Sequence, residues 1–362
     1  MQIPSGFRRD LIFQEVSGII NNYARHTIPR EFLDTLRRDG VLRHPNATLT
    51  PLTDGVSSEI FRVDDGGDTF VVKRALAKLR VKDEWTADID RNRHEQMYIK
   101  YVAQFLPHAV PSLRPGAMDR GYFAMEFLGP EFTSWKQLLL RGETRAEDAI
   151  QLATVLGQIH AHSVSDSEAA RQFDTTSNFR QLRIDPYLLT TGSRHPELRE
   201  FFETEAQRLE STRLCLVHGD FSPKNIMRSN SRLVLLDCEV AWYGDPAFDL
   251  AFLMTHLLLK GLYHAPREIG LQELCRAFAL RYVEETRGLV DLRALEPRVA
   301  RLLLMLLLAR VDGKSPVEYV SDPQQTEWVR RFARKGILEG RFNLNDVVGE
   351  WFSSLWERKV RG

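Results

Sequence analysis

The chain is poor in cysteine, carries no surplus of either charge and has no long apolar run. Its three cysteines, Cys215, Cys238 and Cys275, show no metal-ligand spacing and are too few for a disulfide framework, so a reducing compartment is expected. Lysine and arginine together number 49, as do aspartate and glutamate, and the formal net charge is zero. Proteins that live on nucleic acid normally show a basic excess or stripe, so no nucleic-acid partner is expected. The longest apolar run, residues 302–309, is far short of the roughly 20 residues a membrane helix needs. No membrane partner is expected either. The opening MQIPSGFRRD lacks the apolar core of a signal peptide, and a cytoplasmic place is the expectation. Internal repeats and low-complexity tracts are also lacking.

What is present divides the chain by texture. A length of 362 residues suggests two or three cooperating lobes, because single cores rarely grow past about 250–300 residues. Residues 1–45 read as a helical extension, with one helix over 10–23 and a second begun at Pro29 and closed by Gly40. From about Ala47 short alternating runs take over: ATLTPLT, EIFRV and TFVVKRA read as three strands, with DDGG as a hairpin turn. A charged stretch follows, then a helix around 93–105, then the strand-like GYFAMEFLG. After Gly129-Pro130 the sequence is mainly helical, with helices expected at 146–162, 250–262 and 300–310. One hairpin, NIMRSNSRLVLLD, interrupts them. Residues 46–129 therefore form a β-rich lobe and residues 130–362 a helical one.

The hairpin is flanked by the chemistry. Before it stands HGDFSPKN (218–225), after it DCE (237–239), and further on GDPAFDL (244–250). Phosphoryl transfer needs a carboxylate to orient a hydroxyl and accept its proton, and oxygen ligands to hold Mg2+ on the phosphates. Asp220 can supply the first and Asn225, Asp237 and Glu239 the second, since a hairpin brings its ends together. In extended backbone Asp237 and Glu239 face the same side. In the β lobe Lys73 sits within an apolar strand, where a nucleotide phosphate and an acidic helix residue are two reasons for an ammonium. Glu95 is the best-placed acid, with Glu84 a competitor. Asp54 to Ser58 lie between the first two strands, where the backbone at Gly55 and the hydroxyls of Ser57 and Ser58 can cap phosphates.

Together HGDFSPKN and LLDCEVAWYGDPAFDLA resemble the aminoglycoside phosphotransferase / choline kinase / methylthioribose kinase superfamily, small-molecule relatives of protein kinases. By motif the resemblance runs from about Leu49 to Leu250. It implies an α+β, bilobal, protein-kinase-like fold: an antiparallel β-sheet N-lobe with one helix and a mainly helical C-lobe. It implies an ATP- and Mg2+-dependent small-molecule kinase in which Asp220 is the catalytic base and His218 braces its loop. Asn225 and Asp237 become metal ligands, and Glu239 falls where methylthioribose and choline kinases place an acid that also serves the metal. Lys73 holds the α/β-phosphates and Glu95 holds Lys73. Glu126, Phe127 and Leu128 form the hinge that meets adenine, and Asp245 and Asp249 support the catalytic loop. HGD and DCE replace the H-R-D and D-F-G of protein kinases, and G-x-G-x-x-G and A-P-E are lacking. About a dozen residues separate Asp237 from Asp249, too few for a protein-substrate activation loop. A small hydroxylated acceptor is the expected partner.

Plainer readings stand beside these. Lys73 as an edge-strand lysine, Ser57 and Ser58 as turn residues, and Glu95 on a solvated helix face are the alternatives. The charged run 78–93 reads as a solvated insert. Acceptor contacts are expected from Arg183, from the cluster Arg310, Asp312 and Lys314, and from Arg330 and Arg331, although the last pair also suits an ordinary amphipathic helix. Aminoglycosides are polycations and call for an acid-lined pocket, so these cations favour a sugar or sugar-like acceptor. An aminoglycoside-type antibiotic kinase and a non-catalytic nucleotide-binding scaffold are the competing functions. Either a monomer or a homodimer is compatible with the sequence.

Overall fold

The computed structural model describes residues 30–52, 58–76, 90–114 and 121–361. The expected helix over 10–23, Gly55, Ser57 and Glu84 lie outside the described residues. Helix α1 (Arg30–Arg38) ends where Gly40 takes a φ of 70°, a left-handed conformation that glycine adopts without a Cβ clash. Four antiparallel strands follow in the order β1 (Thr48–Leu52), β2 (Ser58–Asp65), β3 (Asp68–Ala75) and β4 (Tyr122–Glu126). Gly66 and Gly67, at φ 64° and 95°, make the two-residue β2–β3 turn, and this leaves Asp65 opposite Asp68.

The period of two on β3 decides where Lys73 points. Phe70 and Val72 join an outer cluster with Phe32 and Leu36 of α1 and with Phe61 and Val63. Val71 faces the opposite way, into the main core, and Lys73 shares its side. Helix α2 (Arg91–Ala103) packs over that side. The second lobe is built around helices α3 (Trp135–Leu140), α4 (Ala146–Ser163), α5 (Arg199–Ser211), α6 (Ala247–His264), α7 (Leu271–Glu285), α8 (Leu292–Asp312), α9 (Pro323–Leu338) and α10 (Leu344–Arg361). Residues 302–309 are fully buried in α8 against α6, each large side chain contributing about 1.5–3 kcal/mol of transfer free energy. No helix among the described residues is long and apolar enough to cross a membrane.

Three sequence expectations change. The hairpin of β7 (Ile226–Arg228) and β8 (Leu233–Leu235) is not alone, since β5 (Thr133–Ser134) pairs with β7 and β6 (Cys215–Val217) pairs with β9 (Trp242–Gly244). Strands of two or three residues are too short to show an alternation. Asp237 is not in extended backbone: its φ is 59°. Arg91, at the end of the charged run read as solvated, is completely buried.

Candidate active site

The loop after β6 is held by the helix that follows β9. Asp249, in the first turn of α6, accepts the backbone N–H groups of His218 at 2.7 Å and Gly219 at 2.9 Å. Gly219 has φ 75°, and a Cβ there would stand 2.5 Å from the Val240 carbonyl oxygen, so only glycine fits the bend. His218 Nδ1 accepts the Asp220 N–H at 3.2 Å. Burial pushes the His218 imidazole below its ordinary value despite the nearby Asp249 and Asp220 carboxylates, so it stays neutral and acts as an acceptor. Asp245 works differently from Asp249. It accepts the Ala247 N–H at 3.0 Å and pairs with Arg208 and Arg298, tying the start of α6 to α5 and α8.

The turn at Gly219 delivers the Asp220 carboxylate, 5% exposed, between two cations. Arg183 Nη2 and Lys224 Nζ each lie 3.1 Å from Asp220 Oδ2. Burial pushes this carboxyl up, but Lys224 and Arg183 outweigh it and hold it below its ordinary value. Asp220 is therefore ionised at neutral pH. Arg183 comes from a π-helical segment, Arg180–Leu189, and also donates from Nε to the Gly219 carbonyl at 2.6 Å. Asn225 donates from Nδ2 to the Asp220 carbonyl at 2.9 Å, which places it one turn beyond the carboxylate.

Opposite stands the carboxylate group of the hairpin's far end. Lys73 Nζ lies 2.7 Å from Glu95 Oε2 and 2.7 Å from Asp237 Oδ1. The contact to Asp237 has hydrogen-bond geometry, whereas that to Glu95 Oε2 is an ion pair outside hydrogen-bond angles. Burial would lower the Lys73 ammonium, yet Asp237 and Glu95 hold it well above its ordinary value. Burial and the Asp237 and Glu239 carboxylates push Glu95 up to about 7 against the pull of Lys73. Asp237, whose burial works the other way, is kept well below the usual carboxylate range by Lys73 and Lys224. Glu239 pairs with Arg91 Nε at 3.1 Å. Carboxylate oxygens of Glu95, Asp237 and Glu239 all lie within 4.8 Å of one another. An all-oxygen donor set of this kind suits a hard divalent cation.

The remaining expected residues scatter in their surroundings. Ser58 is buried, with a hydroxyl that has no partner among the described residues. Glu126 accepts the Ser112 N–H at 3.0 Å and pairs with Arg232 at 2.5 Å; Phe127 lies under the Arg62 guanidinium, and Leu128 is half-buried. Arg310 donates to the Tyr187 hydroxyl at 3.0 Å and to the Ser315 carbonyl at 2.5 Å. Asp312 and Arg330 neutralise each other through contacts of 2.7 and 2.8 Å, with His195 on the same carboxylate, and this ties α9 to α8. The Lys314 N–H donates to the Pro186 carbonyl at 3.1 Å, and Arg331 is exposed. The structure thus brings Lys73, Glu95, Asp220, Asn225, Asp237, Glu239 and Arg183 together and leaves Arg330 and Arg331 outside that group. Two members went unassigned in the sequence. Lys224 stood inside HGDFSPKN as its readable signal, whereas Arg91 had none, being one basic residue in a charged run.

The profile of the phosphotransferase enzyme family matches residues 48–289, two thirds of the chain and the whole of this site. The chain belongs to that family. Its relatives include the methylthioribose kinase of Pectobacterium atrosepticum, 25% identical over 268 residues, which covers 64% of this chain and 66% of that protein. The methylthioribose kinase of Exiguobacterium sibiricum is 23% identical over 298 residues, covering 74% and 76%. The chain spans about two thirds of the first of these. Among solved structures, a microcompartment-associated aminopropanol kinase matches with a TM-score of 0.58 at 15% identity, over 87% of this chain and 99% of that one. The amicoumacin kinase hAmiN, solved with AMP-PNP and Ca2+, matches with a TM-score of 0.55 at 14% identity, over 86% and 94%. The fold of this phosphotransferase-family member is that of protein-kinase-like small-molecule kinases.

Proposed function

We propose that the chain is an ATP-dependent O-phosphotransferase acting on a hydroxyl of a small polar molecule, a sugar or sugar-like metabolite. One observation carries the reading: Lys73, Glu95, Asp220, Asp237 and Glu239, from both lobes, converge with the lysine at 2.7 Å from two of the carboxylates. Asp220, ionised and buried, orients the acceptor hydroxyl and accepts its proton as the oxygen bonds to the γ-phosphorus and the bond to ADP breaks. Lys73, held by Glu95, faces the α/β-phosphates, and the Ser58 hydroxyl, without a partner among the described residues, joins them. The backbone of Glu126 to Leu128 meets adenine. Asn225, Asp237 and Glu239 would hold Mg2+, which neutralises charge on the transferred phosphoryl group. Arg91 keeps Glu239 in place. Residues 46–129 then serve as the nucleotide lobe and residues 130–362 as the catalytic and acceptor lobe.

The sugar-like acceptor is supported by the methylthioribose kinases among the relatives. It is supported too by the cations Arg183 and Lys224 beside the base, which repel a polycationic aminoglycoside. The test is a Mg2+-dependent ATP-consumption screen against pooled sugars, methylthioribose, choline-like alcohols and aminoglycosides, followed by the mass of the product. A product heavier by one phosphoryl group is expected from the sugar pools. A product carrying a nucleotidyl group, or failure of the protein to bind Mg·ATP, would overturn the reading.

A further inference from the structure

A second group of cations lies one aromatic ring away from the base. Arg183 sits over the Tyr187 ring at 5.6 Å, and Arg310 approaches the same ring at 5.5 Å while donating to its hydroxyl. On α6, Phe252 is contacted by Arg183 at 5.7 Å and by the His256 ring at 5.4 Å. His256 Nδ1 lies 3.0 Å from the Tyr319 hydroxyl, and Lys260 Nζ reaches the same hydroxyl at 3.3 Å. Lys260 is 1% exposed and Arg310 9%, and their partners among the described residues are hydroxyls and a carbonyl rather than carboxylates. Arg310 Nε is buried with no acceptor among the described residues. Glu318, the acid of this neighbourhood, is taken by Lys136. Tyr319, half-buried, is the member that reaches toward solvent.

Burying a cation without a counter-charge is costly, and such groups are normally paired. Two buried cations, neither within ion-pair distance of a carboxylate among the described residues, call for an anion. We infer that Arg310, Lys260 and Tyr319, with His256 orienting the tyrosine hydroxyl, form a subsite for an anionic group, a carboxylate or phosphate, carried by the alcohol that Asp220 orients. The inference rests on the kinase reading for the alcohol and on this cluster alone for the anion. Burial, with Lys136 and Arg310, pushes Lys260 down to about 7, and a bound anion restores its charge.

The test is calorimetric titration of the full chain with D-gluconate, D-glucose 6-phosphate and neutral D-glucose. Saturating Mg·ADP is present, so that the nucleotide's own phosphate contacts are already occupied. At least one anionic probe is expected to bind at least tenfold more tightly than glucose, and which one does separates carboxylate from phosphate. Lys260→Met and Arg310→Met should each weaken that binding about tenfold or more, the loss of a charge-assisted hydrogen bond. Lys260→Met removes a buried unpaired ammonium, so its melting temperature should rise, and retained Mg·ADP binding confirms that each variant is folded. If Arg310→Met does not fold, Arg310→Lys, which keeps the charge but loses the fork, should show a smaller loss. Equal binding of glucose and both anions, or unchanged anion binding in folded Lys260→Met, would overturn the subsite. Failure of Mg·ADP to bind while the anion still does would overturn the kinase reading instead.

Discussion

Lys73 and Asp237 lie 164 residues apart in the chain and 2.7 Å apart in space. With Glu95 on the other side of the same ammonium, the contact joins strand β3, helix α2 and the segment after β8. It fixes the β lobe over the helical one through charges that would be expensive to bury singly.

Removing Lys73 alone strands two carboxylates, and breaking a buried pair typically costs roughly 3–5 kcal/mol. Lys73→Met should therefore lower the melting temperature clearly, and Glu95→Leu should do so less, since the lysine keeps Asp237 and loses one of its two carboxylate partners. The double variant should recover part of the loss, because neither charge remains at the Glu95 end. Thermal unfolding of the three proteins checks this; losses that simply add would contradict the coupling.

Gly219→Ala puts a methyl against the Val240 carbonyl at a positive φ. The bend must open, which moves the His218 and Gly219 N–H groups off the Asp249 carboxylate and shifts Asp220 with them. A fall in kcat with nucleotide affinity nearly unchanged is expected, together with some loss of stability. A variant with full turnover would show that the bend does not position the base.

Glu239→Gln removes one charge from the carboxylate group and loosens Arg91. The Mg2+ concentration for half-maximal ATP turnover should rise by about 10–100-fold, the range for disturbed metal sites. An unchanged Mg2+ dependence would remove Glu239 from the metal set.

Lys260 moves from an ordinary 10.5 to about 7 on folding, by burial and by the Lys136 and Arg310 charges. Between those values the unfolded chain holds a proton that the folded chain has lost, so this residue makes stability rise with pH from about 7 toward 10.5. At and below neutrality its full penalty applies. Lys260→Met should stabilise the protein most at pH 7 and below, and the gain should close toward pH 10. A difference in melting temperature that does not vary with pH would contradict the burial of this ammonium.

Much of this site was legible before the structure. HGDFSPKN and DCE carried their chemistry in residue types, and an ammonium inside Phe70-Val71-Val72 asked for a counter-charge, which Glu95 and Asp237 supply. What escaped has physical reasons. Arg91 looks like any surface arginine until α2 turns it onto Glu239. Strands β5, β6 and β9 are too short to leave a period. Asp237 and Glu239 come together through a left-handed residue, not the extended backbone their spacing suggested. His256 and Lys260 stood four apart in a run read only as a buried helix, and nothing in one sequence says that the Tyr319 hydroxyl meets both.

Asp220→Asn tests the central claim most directly. With the acceptor found by the screen, its turnover should fall by about 10²–10⁴-fold, the range for a positioned general base, while Mg·ATP binding measured by calorimetry stays within error of the unaltered protein. Wild-type turnover in this variant would mean that the carboxylate between Arg183 and Lys224 is not the base.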